Sequence, residues 1–294
     1  MNDVRSTARI LNWGRWGTDD QLGALNLQTP ETILRAFRLV KKGRFYNLSV
    51  PLSADGPQWP YFHKTWQTTF LTTQSDPCAA QFADEVLTLV THSGTHMDAL
   101  GHCWNEGMLW NGRSHDHVDS YGTRWAGIEQ VRGFLTRGVM LDMARFADVE
   151  HLGLGEIVTA EAMDACARSQ GIRIESGDVL LVRTGWYRVF QNNYELWRQG
   201  EPGPDASCTA WLKERNVIAI GADNSGVESY VTKTRPALAP RLHVTALRDL
   251  GVYLFEHLDL EELARDRIYE FLFIAAPLRL PKASGSPFSP LAVI

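Results

Sequence analysis

The chain has 294 residues, 44% hydrophobic, 21% charged and 10% aromatic, enough for a full core in one large or two small domains. Its 29 Lys and Arg against 34 Asp and Glu give a net charge of −5 and form no basic block, which argues against a nucleic-acid partner. The longest apolar runs, such as Phe271 to Leu278, fall far short of the roughly 20 residues that cross a bilayer, and Met1 to Ile10 lacks an apolar signal core. No membrane partner and no export are expected. Four single cysteines, Cys78, Cys103, Cys166 and Cys208, include no C-x-x-C pair. They suggest neither a disulfide framework nor a thiolate zinc site, and point to a reduced, cytoplasmic compartment.

No repeat, low-complexity tract or charged linker divides the chain, which reads as one domain over 1–294 with residues 1–44 as an N-terminal extension. Thr29-Pro30-Glu31 is a helix start, with Thr29 as N-cap and Pro30 at the first helical position. That helix is expected to turn Ile33, Ala36, Phe37 and Val40 inward and to stop near Gly43. Phe45 to Val50 reads as a strand, and Ser53 to Ser75 as irregular chain with a hairpin around it. Glu85 to Thr91 is β-branched and partly alternating, so a strand is expected there. Later strands are expected over 138–142, 178–183, 217–223, 252–256 and 270–277. Helices are expected from a cap at Thr159 to Gly171, and over 187–198, 207–215 and 243–250. Strands and helices mix without strict alternation, so a mixed α/β fold or a β-rich sandwich suits the pattern better than a clean doubly wound sheet.

The chemistry concentrates in one stretch. Nine histidines in 294 residues put about 0.3 in any window of eleven, yet His92 to His102 holds three of them, with Asp98 among them. Imidazole and carboxylate are the usual ligands of zinc, manganese or iron, and no cysteine competes here. Ser93-Gly94 makes a poor helix interior, so a shared helical face for His92 and His96 is disfavoured. In extended chain His92, His96, Asp98 and His102 share parity, but four residues of strand cover roughly 13 Å, too far for two ligands of one ion. The chain must therefore fold back between His92 and His96, and Gly94 is where it turns freely into positive φ. A further bend at Gly101 would bring in His102. The competing reading is a set of surface or capping histidines beside a loop. His115 and His117 read as loop residues.

The pattern His92-x-Gly-Thr-His96-x-Asp98-Ala, with His102 four residues further on, resembles the signature of the metal-dependent cyclase family, which includes bacterial kynurenine formamidase and isatin hydrolase. The similarity runs along most of the chain. It includes Trp16 to Asn26, Arg137-Gly-Val-Met-Leu-Asp-Met, Gly177 to Trp186, Gly221-Ala-Asp-Asn-Ser225 and Gly285-Ser-Pro287. The resemblance implies a swivelling β/β/α-type fold with a mixed sheet, in a homodimer or homotetramer. It also implies two further metal ligands, His243 at a helix start and Glu256 at a strand end. Taken alone, His243 reads as an ordinary early-helix residue, whereas a carboxylate closing an apolar strand is costly to bury without a cationic partner. Two positions depart from the family pattern: Leu100 replaces a proline, and His257 stands where asparagine usually follows the glutamate.

Such a site implies one or two divalent ions, Zn2+ or Mn2+, polarising a carbonyl and acidifying a water. With two ions roughly 3.5–4 Å apart, Asp98 is the natural bridge, with His92 and His96 on one ion and His243 and Glu256 on the other. His102 is assigned as proton shuttle on the strength of a near-neutral pKa, the alternative being a third ligand. Trp59, Tyr61, Phe62 and Trp66 before the cluster, and Trp104 and Trp110 after it, are candidates for a slot around a flat ring; core packing is the alternative. Asp223 and Ser225 are candidates for substrate contact or for capping the next turn. Cys103 adjoins His102, but neighbours on a strand point to opposite faces, so no Cys/His pair is expected. The resemblance implies a hydrolase of a small cyclic amide or N-acyl bond, with a lactone or ester hydrolase as alternative. A structural metal site is disfavoured, because structural zinc sites are usually closed and rich in cysteine. No nucleotide-binding glycine loop is present.

Overall fold

The computed structural model describes residues 9–58, 67–73, 82–232 and 241–294. Its strands of three residues or more are β1 (Phe45–Asn47), β2 (Gln67–Thr73), β3 (Phe82–Thr88), β4 (His96–Asp98), β5 (Phe134–Asp142), β6 (Val179–Arg183), β7 (Ala219–Ala222), β8 (Tyr253–Glu256), β9 (Glu270–Ala275), β10 (Gly285–Pro287) and β11 (Leu291–Val293). Strands β2 and β3 form a hairpin of their own. The other nine make one mixed sheet in the order β1-β11-β9-β5-β6-β7-β8-β4-β10. Its centre, β5 to β8, is parallel, and its flanks are antiparallel. All five residues of β6, Val-Leu-Leu-Val-Arg, are buried, the pattern of a strand covered on both faces. The fold is a single α/β domain around a mixed sheet, as expected.

Helices of six residues or more are α1 (Pro30–Phe37), α2 (Ala160–Ser169), α3 (Trp186–Asn192), α4 (Thr209–Arg215), the π-helical α5 (Val244–Leu250) and α6 (Glu261–Asp266). Several boundaries differ from expectation for local reasons. Helix α1 has the Thr29 cap, closed reciprocally by Thr32, but stops at Phe37 because Leu39 and Val40 bond three residues back, to Ala36 and Phe37. The helix expected over 187–198 breaks at Asn193, whose side chain caps the short turn Tyr194–Trp197. The strand expected over 85–91 lies at 82–88, paired with β2 from Gln67↔Thr88 to Thr73↔Phe82, so part of the segment expected to be irregular is strand. Strands β10 and β11 were not anticipated.

Residues near the N-terminus brace the π-helix α5. Asn12 bonds the backbone of Asp249 and Leu250, and Trp13 Nε1 donates to Arg248 O at 2.7 Å. Ala24 N donates to Gly251 O at 2.7 Å. Glycine is required at Gly23, since a Cβ there would lie 2.5 Å from Gly251 O. Residues 9–27 thus clamp α5 and the turn that ends it. A π-helix is rare and tends to occur at functional sites, and this one carries the residue after His243.

Two buried carboxylates hold the loop that follows β7. Asp223, a candidate substrate contact in the sequence, is placed instead against the end of β6. It accepts hydrogen bonds from Thr184 N, Thr184 Oγ1 and Gly185 N at 2.8, 2.6 and 2.7 Å, and burial lifts its pKa to about 6. Glu201 Oε2 accepts from Ser225 N and Oγ at 2.8 and 2.5 Å, while Oε1 is buried without a hydrogen-bond partner among the described residues. Burial, with Glu256 and Glu228 adding to it, pushes Glu201 up to about 8. An acid raised in the folded state keeps its proton where the unfolded chain has lost it, so its contribution to stability is full below about pH 4.5 and is lost as pH rises through about 8. Urea unfolding in chelator should therefore show stability falling from pH 5 to pH 8, and Glu201→Gln should flatten that fall. Identical slopes in the two proteins would rule out this titration.

Candidate metal centre

Strand β4 is short, fully buried and central to the site. His96 and Asp98 are two apart on it and so share a face. Across the ladder His96 pairs with Glu256 of β8, which brings His96 Nε2 to 3.1 Å from Glu256 Oε2. The fold-back before β4 lies at Gly94, with φ +58°. Its carbonyl receives a hydrogen bond from His96 Nδ1 at 2.9 Å. On the other side of β4, Gly285 pairs with Asp98, and a Cβ there would lie 2.5 Å from His92 Cε1. Glycine at 285 is what lets the His92 ring lie beside the strand. His243 enters from the start of α5, its Nε2 3.1 Å from Glu256 Oε1 and 3.7 Å from Asp98 Oδ2.

These donors fall into two groups that share one residue: His92, His96 and Asp98, and Asp98, His243 and Glu256, with each group's ligand atoms within 4.8 Å of one another. Asp98 carries the test of whether a cation fits. Its side chain is 1% exposed, and among the described residues neither oxygen has a hydrogen bond of normal geometry, although His92 Nδ1 lies 2.7 Å from Oδ1. A buried carboxylate left in that state costs several kcal/mol, roughly, unless a cation meets it. The histidines are also oriented for the purpose. Gly94 O can only accept, so His96 carries a proton on Nδ1 and leaves Nε2 facing Glu256 and Asp98. His243 Nδ1 donates to Glu228 at 2.7 Å, and His92 Nε2 bonds Ser284 Oγ at 3.0 Å. Remote nitrogens tied down and near nitrogens converging on carboxylates are an arrangement that suits a divalent cation.

Electrostatics say the same. Burial opposes a charge on Asp98, but His102, His92 and His96 outweigh it and hold the carboxyl far below the usual range. Burial and Asp98 work against Glu256, yet His96 and His243 keep it low as well. Burial disfavours protonated His96 and His243, but Glu256 raises the first, and Glu228 and Glu256 raise the second well above an ordinary imidazole. The pocket is built for positive charge.

His102 stands beside the two ligand groups rather than in them, its Nε2 3.8 Å from Asp98 Oδ2 and its ring 4.2 Å from that of His92. The pocket walls push its pKa down to about 4 despite Asp98, below the near-neutral value expected, because desolvation by the walls exceeds the carboxylate's pull. Ser225 lines the same cavity of about 230 Å3, together with Cys103 and Arg241. Cys103 corrects an expectation: residues 99–102 form a turn closed by His102 N to Ala99 O at 2.9 Å, so strand alternation does not apply and both side chains face the cavity. Trp110 is also corrected, being fully buried in the core with Nε1 bonded to Asp20 O, whereas Trp104 is exposed. Trp59, Tyr61, Phe62 and Trp66 lie outside the described residues. His257 belongs to neither ligand group; it is buried, its ring 6.0 Å from His96 and 6.2 Å from Trp197. His115 and His117 lie on a surface turn. Sequence reasoning missed Glu228, Arg241 and Ser284, since nothing in their spacing marks them.

Residues 46–229 match the model of the Cyclase family, described as "Putative cyclase". A crystal structure of a novel cyclase superposes with a TM-score of 0.89 at 32% identity, covering 97% of this chain and 100% of that one. An isatin hydrolase bound to the product analogue thioisatinate gives 0.63 at 19% identity, covering 91% and 99%. Isatin hydrolase A from Ralstonia solanacearum gives 0.58 at 23% identity, covering 85% and 92%. At those two identities the likeness is one of fold. No curated protein matches by sequence. With the family's signature histidines and aspartate gathered around one buried site, the chain belongs to the Cyclase family.

Proposed function

We propose that this protein is a metal-dependent hydrolase that opens a small cyclic amide or cleaves a formamide-type N-acyl bond of an aromatic substrate. The observation that carries this reading is Asp98, buried with no hydrogen bond of normal geometry among the described residues, shared between two ligand groups that open onto a small cavity. Isatin hydrolases sharing the fold support the amide reading. One or two divalent ions held by His92, His96, Asp98, His243 and Glu256 would supply Lewis-acid activation of carbonyl and water. His102, held neutral at pH 7 by its low pKa, takes the proton of the attacking water. As a weakly basic imidazole it then gives that proton up readily to the leaving nitrogen. Ser225 and Arg241 supply polar contacts to substrate from the cavity wall. Lactones present the same carbonyl, and a substrate panel separates the two readings.

The protein is further proposed to act as a homodimer or homotetramer. The β2–β3 hairpin supports this: Ala83 to Thr88 are all exposed, Val86 and Leu87 each at 52% although they point to opposite faces. A two-stranded hairpin alone in water is marginally stable, and a second copy would cover it. The free thiols Cys103, Cys166 and Cys208 support a cytoplasmic location.

Asp98→Ala should lose both bound metal, by elemental analysis, and hydrolysis of aryl formamides and isatin-like lactams. Full activity without Asp98 would end its shared role. His102→Ala should keep the metal and lose about 10²–10⁴ in rate; loss of metal instead would make His102 a ligand. Turnover of lactones alone would favour the ester reading. Val86→Asp together with Leu87→Asp should shift the protein towards monomer in sedimentation, and an unchanged assembly would place the interface elsewhere.

A further inference from the structure

Glu228 lies behind the cavity wall rather than in it. Its carboxylate is 1% exposed and gathers donors from three consecutive residues. Oε1 accepts from His243 Nδ1 at 2.7 Å and from Arg241 Nε at 2.9 Å, and Oε2 accepts from Leu242 N at 2.8 Å. Of those residues, His243 faces Asp98 and Glu256, and Arg241 lines the cavity. The backbone that delivers Glu228 is unusual. Val227, fully buried and β-branched, sits at φ +59°, where such residues are true outliers. Glu228 N closes a three-residue turn onto Gly226 O at 2.5 Å, a strained kind of γ-turn. Asn224 holds that turn from both sides, Oδ1 accepting from Val227 N at 2.8 Å and Nδ2 donating to Val227 O at 3.3 Å. Gly203 clears the way, since a Cβ there would lie 2.1 Å from Val227 O. A backbone held in a strained state to aim one buried carboxylate implies a job for that carboxylate.

We propose that Glu228 is a positioning residue that fixes the tautomer and orientation of His243, so that Nε2 faces the cation, and holds the Arg241 guanidinium against the same cavity. Grip on the metal and the charge of the substrate wall then depend on one carboxylate. The proposal rests on the metal reading above. A carboxylate behind a metal-facing histidine typically accounts for about 10- to 100-fold in metal affinity.

The test is direct titration of the chelator-stripped full chain with Mn2+ and Zn2+, with circular dichroism confirming the fold of each variant. Glu228→Ala should weaken binding by up to about 100-fold, and Glu228→Gln by about 10-fold. The glutamine keeps the shape and an oxygen for His243 Nδ1 but turns N–H towards a donor. In a His243→Ala background either change at 228 should add nothing, because the ring it orients is gone. A full independent loss in that background would reveal a merely structural role and overturn the proposal. Unchanged affinity in Glu228→Ala, or in Glu228→Gln should the alanine variant misfold, overturns it alone. Wild-type protein that binds neither ion overturns the metal reading and this proposal with it.

Discussion

Everything in the site follows from one electrostatic constraint: a carboxylate has been taken out of water and set among imidazole nitrogens. Both oxygens of Asp98 are buried without a hydrogen bond of normal geometry among the described residues, and Glu256 lies alongside, 5% exposed. Two such charges cannot persist in a low-dielectric interior unless positive charge comes to them. The imidazoles supply it as protons, which is why His96 and His243 are raised against the pull of burial. Protons and a divalent cation thus compete for one pocket, and metal binding must release protons from these rings.

The sheet meets this constraint by register. Strand β4 is only three residues long, but antiparallel neighbours on both sides fix its pairing, His96 with Glu256 and with Pro287, Asp98 with Leu254 and with Gly285. A slip by one residue would turn Met97 into the pocket and both ligands away from it. The parallel centre of the sheet carries the hydrophobic load, while the chemistry sits where its last strand, β8, meets the antiparallel β4. Residues 9–27 complete the frame by clamping α5, so His243 approaches from a fixed direction.

What could be read from the chain was what is local in it. His92, His96 and Asp98 lie within seven residues, and the need for a reversal at Gly94 follows from strand dimensions alone. Glu256 was reachable only through resemblance, because it meets His96 by strand pairing between distant segments, and a single chain carries no sign of which strands pair. Glu228 was illegible for the same reason, with the added obstacle that its approach uses a turn no propensity favours. Cys103 was misplaced because alternation was extended through a turn, and Trp110 because aromatic side chains look alike in sequence whether they face a slot or the core. The strand segments over 178–183 and 252–256 were legible from their apolar, β-branched runs, which need no partner to be recognised.

The same geometry gives physical meaning to the strand-end stretch Gly221-Ala-Asp-Asn-Ser225. Two non-glycine residues beside the site have positive φ, Val227 at +59° and His257 at +53°, and each such residue costs on the order of 1–3 kcal/mol. Asn224 restrains both. Its side chain grips Val227, and its carbonyl accepts from His257 N at 2.8 Å, while Thr95 Oγ1 donates to His257 O at 2.6 Å. The turn that aims Glu228 and the turn that ends the Glu256 strand are therefore tied to one fully buried amide. Asp223 and Ser225 on either side are pinned by Thr184 and Glu201, so the loop cannot relax by sliding. Strain in the turn that aims Glu228 and in the turn after Glu256 is thus held by a single strand end, whose Asp223 and Asn224 side chains are spent on neighbouring backbone.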